Sequence, residues 1–432
     1  MQECKKPSDL YFLQSCNSAI LQLVMSLRSS RAVAVALVTC ATFTDIVAYS
    51  VAVPVLPDLS RKLGASPTVI GLLFASFGVT LLTVSIPMGA VSDRTGRKAP
   101  LVGGMLALAA ATLLFAYADS LPWLFAARLV QGAADGVTWV VGFALIADRF
   151  GPDERGRVSG IVMSGTSAAV MVGPTIGGWL YEIGGIRAPF LTVAAMAALS
   201  AFGFLWLKIP SERAETEAVP IRVVLGSRAV ASCAVVVVAI SATISMLEPV
   251  LPLYLSAKLG IGPARIGLIF GIGAIATTML HPIYGRLADR WGGGRLMLIG
   301  LPLVACIMPL LTIAWSYPST VAVFVLDSMC VALVITPSLT FMAEAVSSAG
   351  VGSFGVGYGL YNMAWGAGLL GGPAIAGFVF ERFGFGRLTV LWGALLLVVS
   401  ALLARVQSGV RLKPDTTESA GRPAEAGHYR ES

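Results

Sequence analysis

Charged residues are scarce in this sequence. Asp, Glu, Lys and Arg make up 12% of its 432 residues, about half of the roughly 25% that a soluble globular domain carries. Hydrophobic residues make up 56%, and the mean hydropathy is +0.82. Runs of about 20 mostly apolar residues recur, the length that a helix needs to cross about 30 Å of hydrocarbon. Twelve spans are predicted, at residues 32–56, 68–92, 99–118, 121–147, 158–182, 188–208, 229–255, 265–287, 295–315, 318–343, 356–381 and 388–405. The composition therefore excludes a soluble protein and predicts an all-α polytopic membrane protein.

The sequence also lacks the motifs of several other classes. The pattern G-x-x-x-x-G-K-[ST] occurs nowhere, so no ATP-binding P-loop is predicted. An ion gradient is then the expected energy source, with no cofactor. The six cysteines are scattered, and no two have the spacing of metal ligands, so neither a disulfide framework nor a metal site is predicted. The first 31 residues lack the order of charge, apolar core and cleavage site of a signal peptide.

Basic residues are distributed unevenly among the predicted loops. The loops at residues 118–122 and 314–320 contain none, whereas alternate loops and the central linker are rich in them. The basic residues concerned are Arg94, Arg97, Lys98, Arg149, Arg155, Arg157, Arg213, Arg222, Arg228, Arg286, Arg290 and Arg295. This alternation is the positive-inside pattern and predicts that both termini lie in the cytoplasm. The net charge of +7 therefore indicates topology and not a nucleic-acid partner.

The sequence contains an internal repeat. LGASPTVIGLLF at residues 63–74 matches LGIGPARIGLIF at 259–270, and Asp93 recurs at the same offset as Asp289. Two six-helix units of the same orientation are therefore predicted, and such units commonly rock against each other around a central site. The predicted segments are a cytoplasmic leader at 1–31, bundles at 32–209 and 229–406, a cytoplasmic linker at 210–228 and a disordered cytoplasmic tail at 407–432.

Several motifs together resemble one transporter family. GAVSDRTGRK at 89–98 has the form of the loop between the second and third helices of major facilitator superfamily transporters. RLVQG at 128–132 resembles that superfamily's fourth-helix motif, and VGPTIGGWL at 172–180 the fifth-helix motif of its drug:proton exchangers. TDIVAYSVAVPVLP at 44–57 and MLEPVLPLYL at 246–255 resemble, more narrowly, the vesicular monoamine and acetylcholine transporters and their microbial drug-efflux relatives.

The resemblance implies a major facilitator fold and a secondary active transporter, not an enzyme. The expected function is proton-coupled antiport, the efflux of hydrophobic amines or cationic drugs by alternating access. A bacterial inner membrane and a monomer are expected. Two alternatives remain open: a carrier of a neutral or anionic solute anchored by Arg128, and a transport-inactive sensor or scaffold. The lack of an additional folded domain disfavours the sensor.

Two acidic residues inside the spans are the principal candidates for a binding site. Glu248 lies directly before Pro249, and Asp45 lies nine residues before Pro54. A carboxylate at bilayer depth is costly unless it is paired, hydrated or protonated, so both are predicted to face the interior or a cavity. The resemblance implies that Asp45 meets the substrate's ammonium group and that Glu248 binds amine or proton. A structural ion pair between helices is the alternative for Glu248.

Arg128 and Asp327 occupy equivalent positions of the repeat, in the fourth and tenth spans, with opposite charge. Arg128 is expected to hold a carboxylate in one protonation state and to release it in the other. A permanent salt bridge between the halves is the alternative. Asp327 matches the family's tenth-helix acid poorly, because its distance to Pro337 differs.

Two residues depart from the family pattern. Asn362 stands where the family has a helix-eleven aspartate, and Phe77 stands where the animal transporters have a lysine. An amide does not titrate, so one proton site of the family is missing. Ring faces attract organic cations by roughly 0.5–2 kcal/mol each; ordinary helix packing is the alternative for any single ring. The further aromatic residues predicted to line the pocket are Phe74, Phe270, Tyr361 and Trp365.

The loop motifs are expected to control conformational change. Asp93 and its repeat Asp289 are predicted to accept hydrogen bonds from helix ends or to pair with basic side chains, locking the cytoplasmic side. The GP segments at 173–178 and 372–377 are expected to let helices approach closely and to seal the halves together. The residues assigned to gating are Gly89, Asp93, Arg94, Gly96, Arg97, Gly173, Pro174, Gly285, Asp289 and Arg290.

Overall fold

The computed structural model describes residues 30–209, 227–348 and 354–411. Within these ranges all regular secondary structure is helical, which confirms the predicted class. The helices are α1 (Arg31–Ser50), α2 (Leu56–Leu63), α3 (Pro67–Thr95), α4 (Lys98–Tyr117), α5 (Leu121–Arg149), α6 (Pro152–Gly184), α7 (Arg187–Trp206), α8 (Arg228–Leu259), α9 (Pro263–Trp291), α10 (Gly293–Ile307), α11 (Tyr317–Ser348) and α12 (Phe354–Arg411). The predicted leader, linker and tail lie almost wholly outside the described residues.

Eleven helical stretches of the described residues are long and apolar enough to cross a membrane. The last of them, Gly359–Arg405, has 47 residues and would measure about 70 Å as one helix, more than twice the hydrocarbon thickness. It is interrupted at Gly384, where φ is 79° and ψ is 168°. Glycine accepts this conformation without a steric penalty. Dividing α12 there gives the twelve spans that the sequence predicts.

The buried apolar side chains form separate cores. One cluster draws all its buried members from residues 35–204, and the other two draw theirs from residues 230–403. Helices α1–α7 therefore pack around one core, and helices α8–α12 pack around their own. The division into separate cores agrees with the internal repeat of the sequence. The bundle boundaries at 32–209 and 229–406 stay predictions.

The bundles touch mainly through two pairs of helices, α3 with α12 and α6 with α9. A Cβ on Gly71 would lie 2.3 Å from the carbonyl oxygen of Pro373, and one on Gly267 would lie 2.2 Å from that of Pro174. The backbones are thus in direct contact, with no room for a side chain at either glycine. Gly178 likewise faces the carbonyl oxygen of Pro263. Because Pro174 and Pro373 belong to the GP segments, these segments lie at the contact between the bundles.

These contacts lie toward one side of the molecule. We call the side at which α7 ends and α8 begins the linker side, and the opposite side, which carries residues 64–66 and 260–262, the far side. The far side is closed by the glycine contacts and by a hydrogen bond of 2.9 Å from the Thr68 amide to Glu381 Oε2. Nearer the linker side, a Cβ on Gly89 would meet only Val140 of its own bundle, and one on Gly285 would have no neighbour within 4 Å. At these two positions the described residues show no contact between the bundles.

Candidate functional site

Glu248 lies where the two bundles meet at mid-depth. Helix α8 continues through Pro249 and Pro252, and the Glu248 side chain is half-buried. The Tyr49 hydroxyl on α1 donates a hydrogen bond of 2.5 Å to Glu248 Oε2. No salt bridge of the described residues includes Glu248, so the alternative of a structural ion pair is not observed. The contact joins the bundles through one hydrogen bond.

Tyr49 was not among the residues predicted from the sequence. It lies four positions after Asp45, on the same face of α1. That spacing was the available signal, because a tyrosine one turn from an intramembrane acid presents a hydroxyl to the same cavity. Its ring lies 4.8 Å from Phe77 and 5.6 Å from Phe74, between centroids. Tyr49 therefore joins the predicted acid on α8 to the predicted aromatic residues on α3.

Arg128 is fully buried and surrounded by rings. Its guanidinium carbon lies 4.3, 5.2 and 5.3 Å from the ring centroids of Phe74, Phe115 and Tyr49. Its Nη atoms lie 3.4 Å from the Tyr49 carbonyl oxygen, and Nη1 lies 3.3 Å from Gln131 Oε1. The side chain is thus held by ring faces and neutral oxygens, and it supports the α1 turn that carries Tyr49.

The salt bridge between Arg128 and Asp327, which the sequence left open as an alternative, is absent from the described residues. Asp327 is 2% exposed on α11, and its Oδ1 has no hydrogen-bond partner there. Equal depth in the repeat does not bring the two side chains together, because Arg128 turns into the core of its own bundle. The alternative of a permanent bridge between the halves is therefore wrong for this conformation.

Asp45 is buried on α1, next to an acid that the sequence analysis did not select. The carboxyl group of Asp135, on α5, lies within interaction range of the Asp45 carboxyl group, and the Trp139 indole reaches both. Neither carboxylate oxygen of Asp45 has a hydrogen-bond partner of good geometry among the described residues. Asp135 is itself a mid-span acid in the fourth span, so the rule that selected Asp45 also applied to it.

The predicted aromatic residues do not form one wall. Phe74 and Phe77 gather around Tyr49 and Arg128, as described above. Phe270 packs against Phe324, with centroids 5.0 Å apart, and Tyr361 stacks on Trp365 at 6.3 Å. Asn362 is exposed and lies one turn before Gly366, which faces Leu82 of α3. The rings therefore fall into three groups, and Asn362 lies one turn to the linker side of a contact between α12 and α3.

The first loop motif is an ion-pair cluster inside one bundle. Arg97 lies 2.5 Å from Asp93 and 2.8 Å from Asp148 on α5, after Gly96 at a φ of 81°. Burial lowers the pKa of Arg97, but hydrogen bonds with Asp148 and Asp93 outweigh it and leave the pKa above its ordinary value. The prediction that Asp93 pairs with a basic side chain is met by Arg97, and the salt bridges of this cluster among the described residues all lie within the first bundle.

The second loop motif lacks this cluster. Asp289 and Arg290 are exposed, and neither takes part in a salt bridge of the described residues. The repeat offset explains the difference, because the position equivalent to Arg97 is occupied by Gly293. Arg94, in the first copy, is also exposed. Among the described residues, the ionic part of the predicted lock therefore lies in the first half.

The Major Facilitator Superfamily profile matches residues 38–247 and 231–430. The chain belongs to the Major Facilitator Superfamily. Among its relatives, a probable vesicular acetylcholine transporter-B of Danio rerio is 28% identical over 402 residues, which cover 88% of this chain and 80% of the relative. The synaptic vesicular amine transporter of Homo sapiens is 27% identical over 77% of this chain, which spans 65% of that protein's length.

Solved transporters of this superfamily share the fold. A bacterial homolog of the human lysosomal transporter Spinster, inward-facing and occupied, superimposes with a TM-score of 0.74 at 15% identity, over 88% of this chain and 97% of that one. The nucleoside transporter NupG superimposes with a TM-score of 0.70 at 14% identity, over 87% and 99%. This major facilitator is therefore a multi-pass membrane transporter of small molecules and not an enzyme.

Proposed function

We propose that this major facilitator is a proton-coupled antiporter that expels hydrophobic amines or cationic drugs. The observation that carries the proposal is the charge at the centre of the bundle. Among the described residues, the interior of the spans contains four acidic side chains, Asp45, Asp135, Glu248 and Asp327, and one arginine, Arg128. None of these five takes part in a salt bridge of the described residues.

An excess of buried acids favours cations and protons as ligands. Carboxylates at bilayer depth are stable only when they are protonated, hydrated or paired with positive charge. The protein supplies too few positive groups, so the remaining ones come from protons or from a cationic substrate. Competition between the two for the same carboxylates is the physical basis of exchange.

The arrangement of Arg128 disfavours the alternative of a neutral or anionic solute. Its guanidinium group is fully buried among the rings of Phe74, Phe115 and Tyr49. A solute carboxylate reaches this group only after the cage of rings has opened. The similarity to vesicular amine and acetylcholine transporters also supports an organic cation.

The distribution of contacts between the bundles supports alternating access with release on the far side. In this conformation the bundles are in contact at Gly71 and Gly267, whereas Gly89 and Gly285 make no contact with the opposite bundle among the described residues. The positive-inside pattern assigns the linker side to the cytoplasm. A substrate then enters from the cytoplasm of a bacterial cell, and a protein working as a monomer expels it across the inner membrane.

The proposal is tested by transport in reconstituted vesicles. Purified protein is placed in liposomes with ethidium as the cationic dye, and dye movement is followed with and without an imposed proton gradient. Gradient-driven accumulation is expected for the wild type. Asp45→Asn, which keeps the shape and removes the charge, should abolish it while the protein stays folded. Equal dye movement with and without the gradient would contradict proton coupling, and wild-type transport by folded Asp45→Asn would contradict the cation site.

A further inference from the structure

The pair formed by Asp45 and Asp135 lies apart from the protein's positive charges. Asp45 is 1% exposed and Asp135 is 6% exposed. Arg128 lies seven residues before Asp135, about 10 Å along α5 toward the far side, and donates to the Tyr49 carbonyl oxygen. Glu248 is held by the Tyr49 hydroxyl. Neither group neutralises the pair by direct contact.

The other helices packed around the pair bring no charge to it. Helices α3, α4, α6 and α7 carry charged residues only within about two turns of their ends, far from the depth of Asp45. The groups that interact with the pair are therefore the Trp139 indole and, for Asp135, Tyr49, whereas Arg128 and Glu248 interact with Tyr49 and not with either acid. Among the described residues, two acids therefore lie together here without a counterion.

Two carboxylates in contact away from water are not both ionised unless a cation lies between them. When the site is empty, one proton held between the two groups leaves a single negative charge. When an organic cation enters, its positive charge takes over the neutralising role and the proton is free to leave. One monovalent cation enters for each proton that departs, so charge is conserved in the exchange.

We propose that Asp45 and Asp135 form one two-carboxylate exchange site, which holds a shared proton when empty and takes the cationic group of an organic cation in place of that proton. The nature of the ligand rests on the proposed function. The half-buried Trp139 indole reaches both acids, and an aromatic ring close to the acids suits an organic cation. Asp135, the more exposed of the two acids, is the first that a cation entering from the linker side meets.

The shared proton is tested without any ligand. Infrared difference spectra of the purified protein, recorded as a pH titration, follow the C=O stretch of protonated carboxyl groups. In a coupled pair, Asp135→Asn changes the midpoint at which Asp45 titrates by about one pH unit or more. In the Asp45→Asn variant, the midpoint at which Asp135 titrates should change in the same way. This variant replaces the first measurement if Asp135→Asn is not recovered as folded protein. Unchanged midpoints in both variants would overturn the pair.

Thr138→Val is the matched control. Thr138 lies on α5 three residues after Asp135, and its hydroxyl donates to the Ala134 carbonyl oxygen in the same helix. The replacement changes a buried polar group of similar size but removes no carboxyl group. Its titration should match that of the wild type. A shift as large as that of Asp135→Asn would mean that any change in α5 perturbs the region, and it would overturn the assignment.

The exchange is tested by adding tetraphenylphosphonium. In the wild type this cation should reduce the protonated carboxyl band, and in the double variant Asp45→Asn, Asp135→Asn it should not. If the titration midpoints of Asp45 and Asp135 are coupled but tetraphenylphosphonium binds without changing the protonated carboxyl band, the exchange site is overturned and the acid pair is retained. If tetraphenylphosphonium does not bind the wild type at all, the proposed cation transport is what fails, and coupled midpoints still support the shared proton.

Discussion

At the scale of single residues, variants of Glu248 and Tyr49 distinguish the role of the Glu248 carboxyl group in proton coupling from the role of its hydrogen bond with Tyr49. Glu248→Gln resembles a permanently protonated acid, so we expect it to lose gradient-driven efflux while it retains tetraphenylphosphonium binding through Asp45. Tyr49→Phe keeps the carboxyl group and removes one hydrogen bond to a charged group, worth about 1.5–3 kcal/mol. It should stay proton-coupled but transport more slowly. Reconstituted vesicles compare both variants with the wild type, and normal gradient-driven transport by Glu248→Gln would mean that Glu248 is structural.

The contacts of individual side chains were also the feature that the sequence predicted least well. Asp45 and Glu248 were selected because an acid inside an apolar span is costly, and Asp135 satisfies the same rule. What the sequence did not contain is which acids are neighbours, because that depends on the rotation of α1 against α5. The orientation of the Arg128 side chain could not be predicted from the sequence either. Its position in the repeat predicts its depth, whereas the rings of Phe74 and Phe115 determine where its guanidinium group points.

At the scale of helices, the glycines at the α3–α12 and α6–α9 contacts should be intolerant of a methyl group. Gly71→Ala and Gly267→Ala would place a Cβ 2.3 Å and 2.2 Å from a backbone carbonyl oxygen. The helices must move apart, at a cost of about 1–3 kcal/mol for an overpacked contact. We expect a lower unfolding temperature and slower transport, measured by thermal denaturation in detergent and by dye efflux.

Gly103→Ala is the control for these replacements. Gly103 lies within α4 and has no neighbour within 4 Å of an added Cβ. Alanine also has the higher helix propensity, by about 1 kcal/mol. The variant should be at least as stable as the wild type. If Gly71→Ala and Gly267→Ala behave like Gly103→Ala, the close contacts are not needed for the closed far side.

At the scale of the whole molecule, alternating access requires the two sides to change in opposite directions. Spin labels at Lys62 and Arg265 report on the far side, and labels at Arg94 and Arg290 report on the linker side; all four residues are exposed. Without substrate we expect a short far-side distance and a long linker-side distance. Conditions that favour release should lengthen the first and shorten the second in pulsed electron resonance. Distances that lengthen together would indicate partial unfolding and contradict rocking.

Much of the whole-molecule architecture was predictable, because it follows from strong and repeated signals. Apolar runs of membrane length identify the spans, and the break within α12 agrees with two separate predicted spans. The match between residues 63–74 and 259–270 predicts two equivalent units. The asymmetry of the ionic lock can also be read from the sequence, because the repeat preserves Asp289 but replaces the arginine by Gly293. That Arg97 pairs with Asp148 as well as with Asp93 appears only in the structure.

The glycine contact on α9 has a mechanical consequence. Gly267 lies 24 residues from the linker-side end of α9 at Trp291, an arm of about 36 Å, but only four residues from its far-side start, an arm of about 6 Å. Turning the helix by about 10° around this fulcrum swings the long arm by about 6 Å and the short arm by about 1 Å. The same pivot therefore opens the linker side widely and the far side hardly at all. Release on the far side therefore requires the contact at Gly267 itself to separate. The bundles then remain in contact at the level of Tyr49 and Glu248.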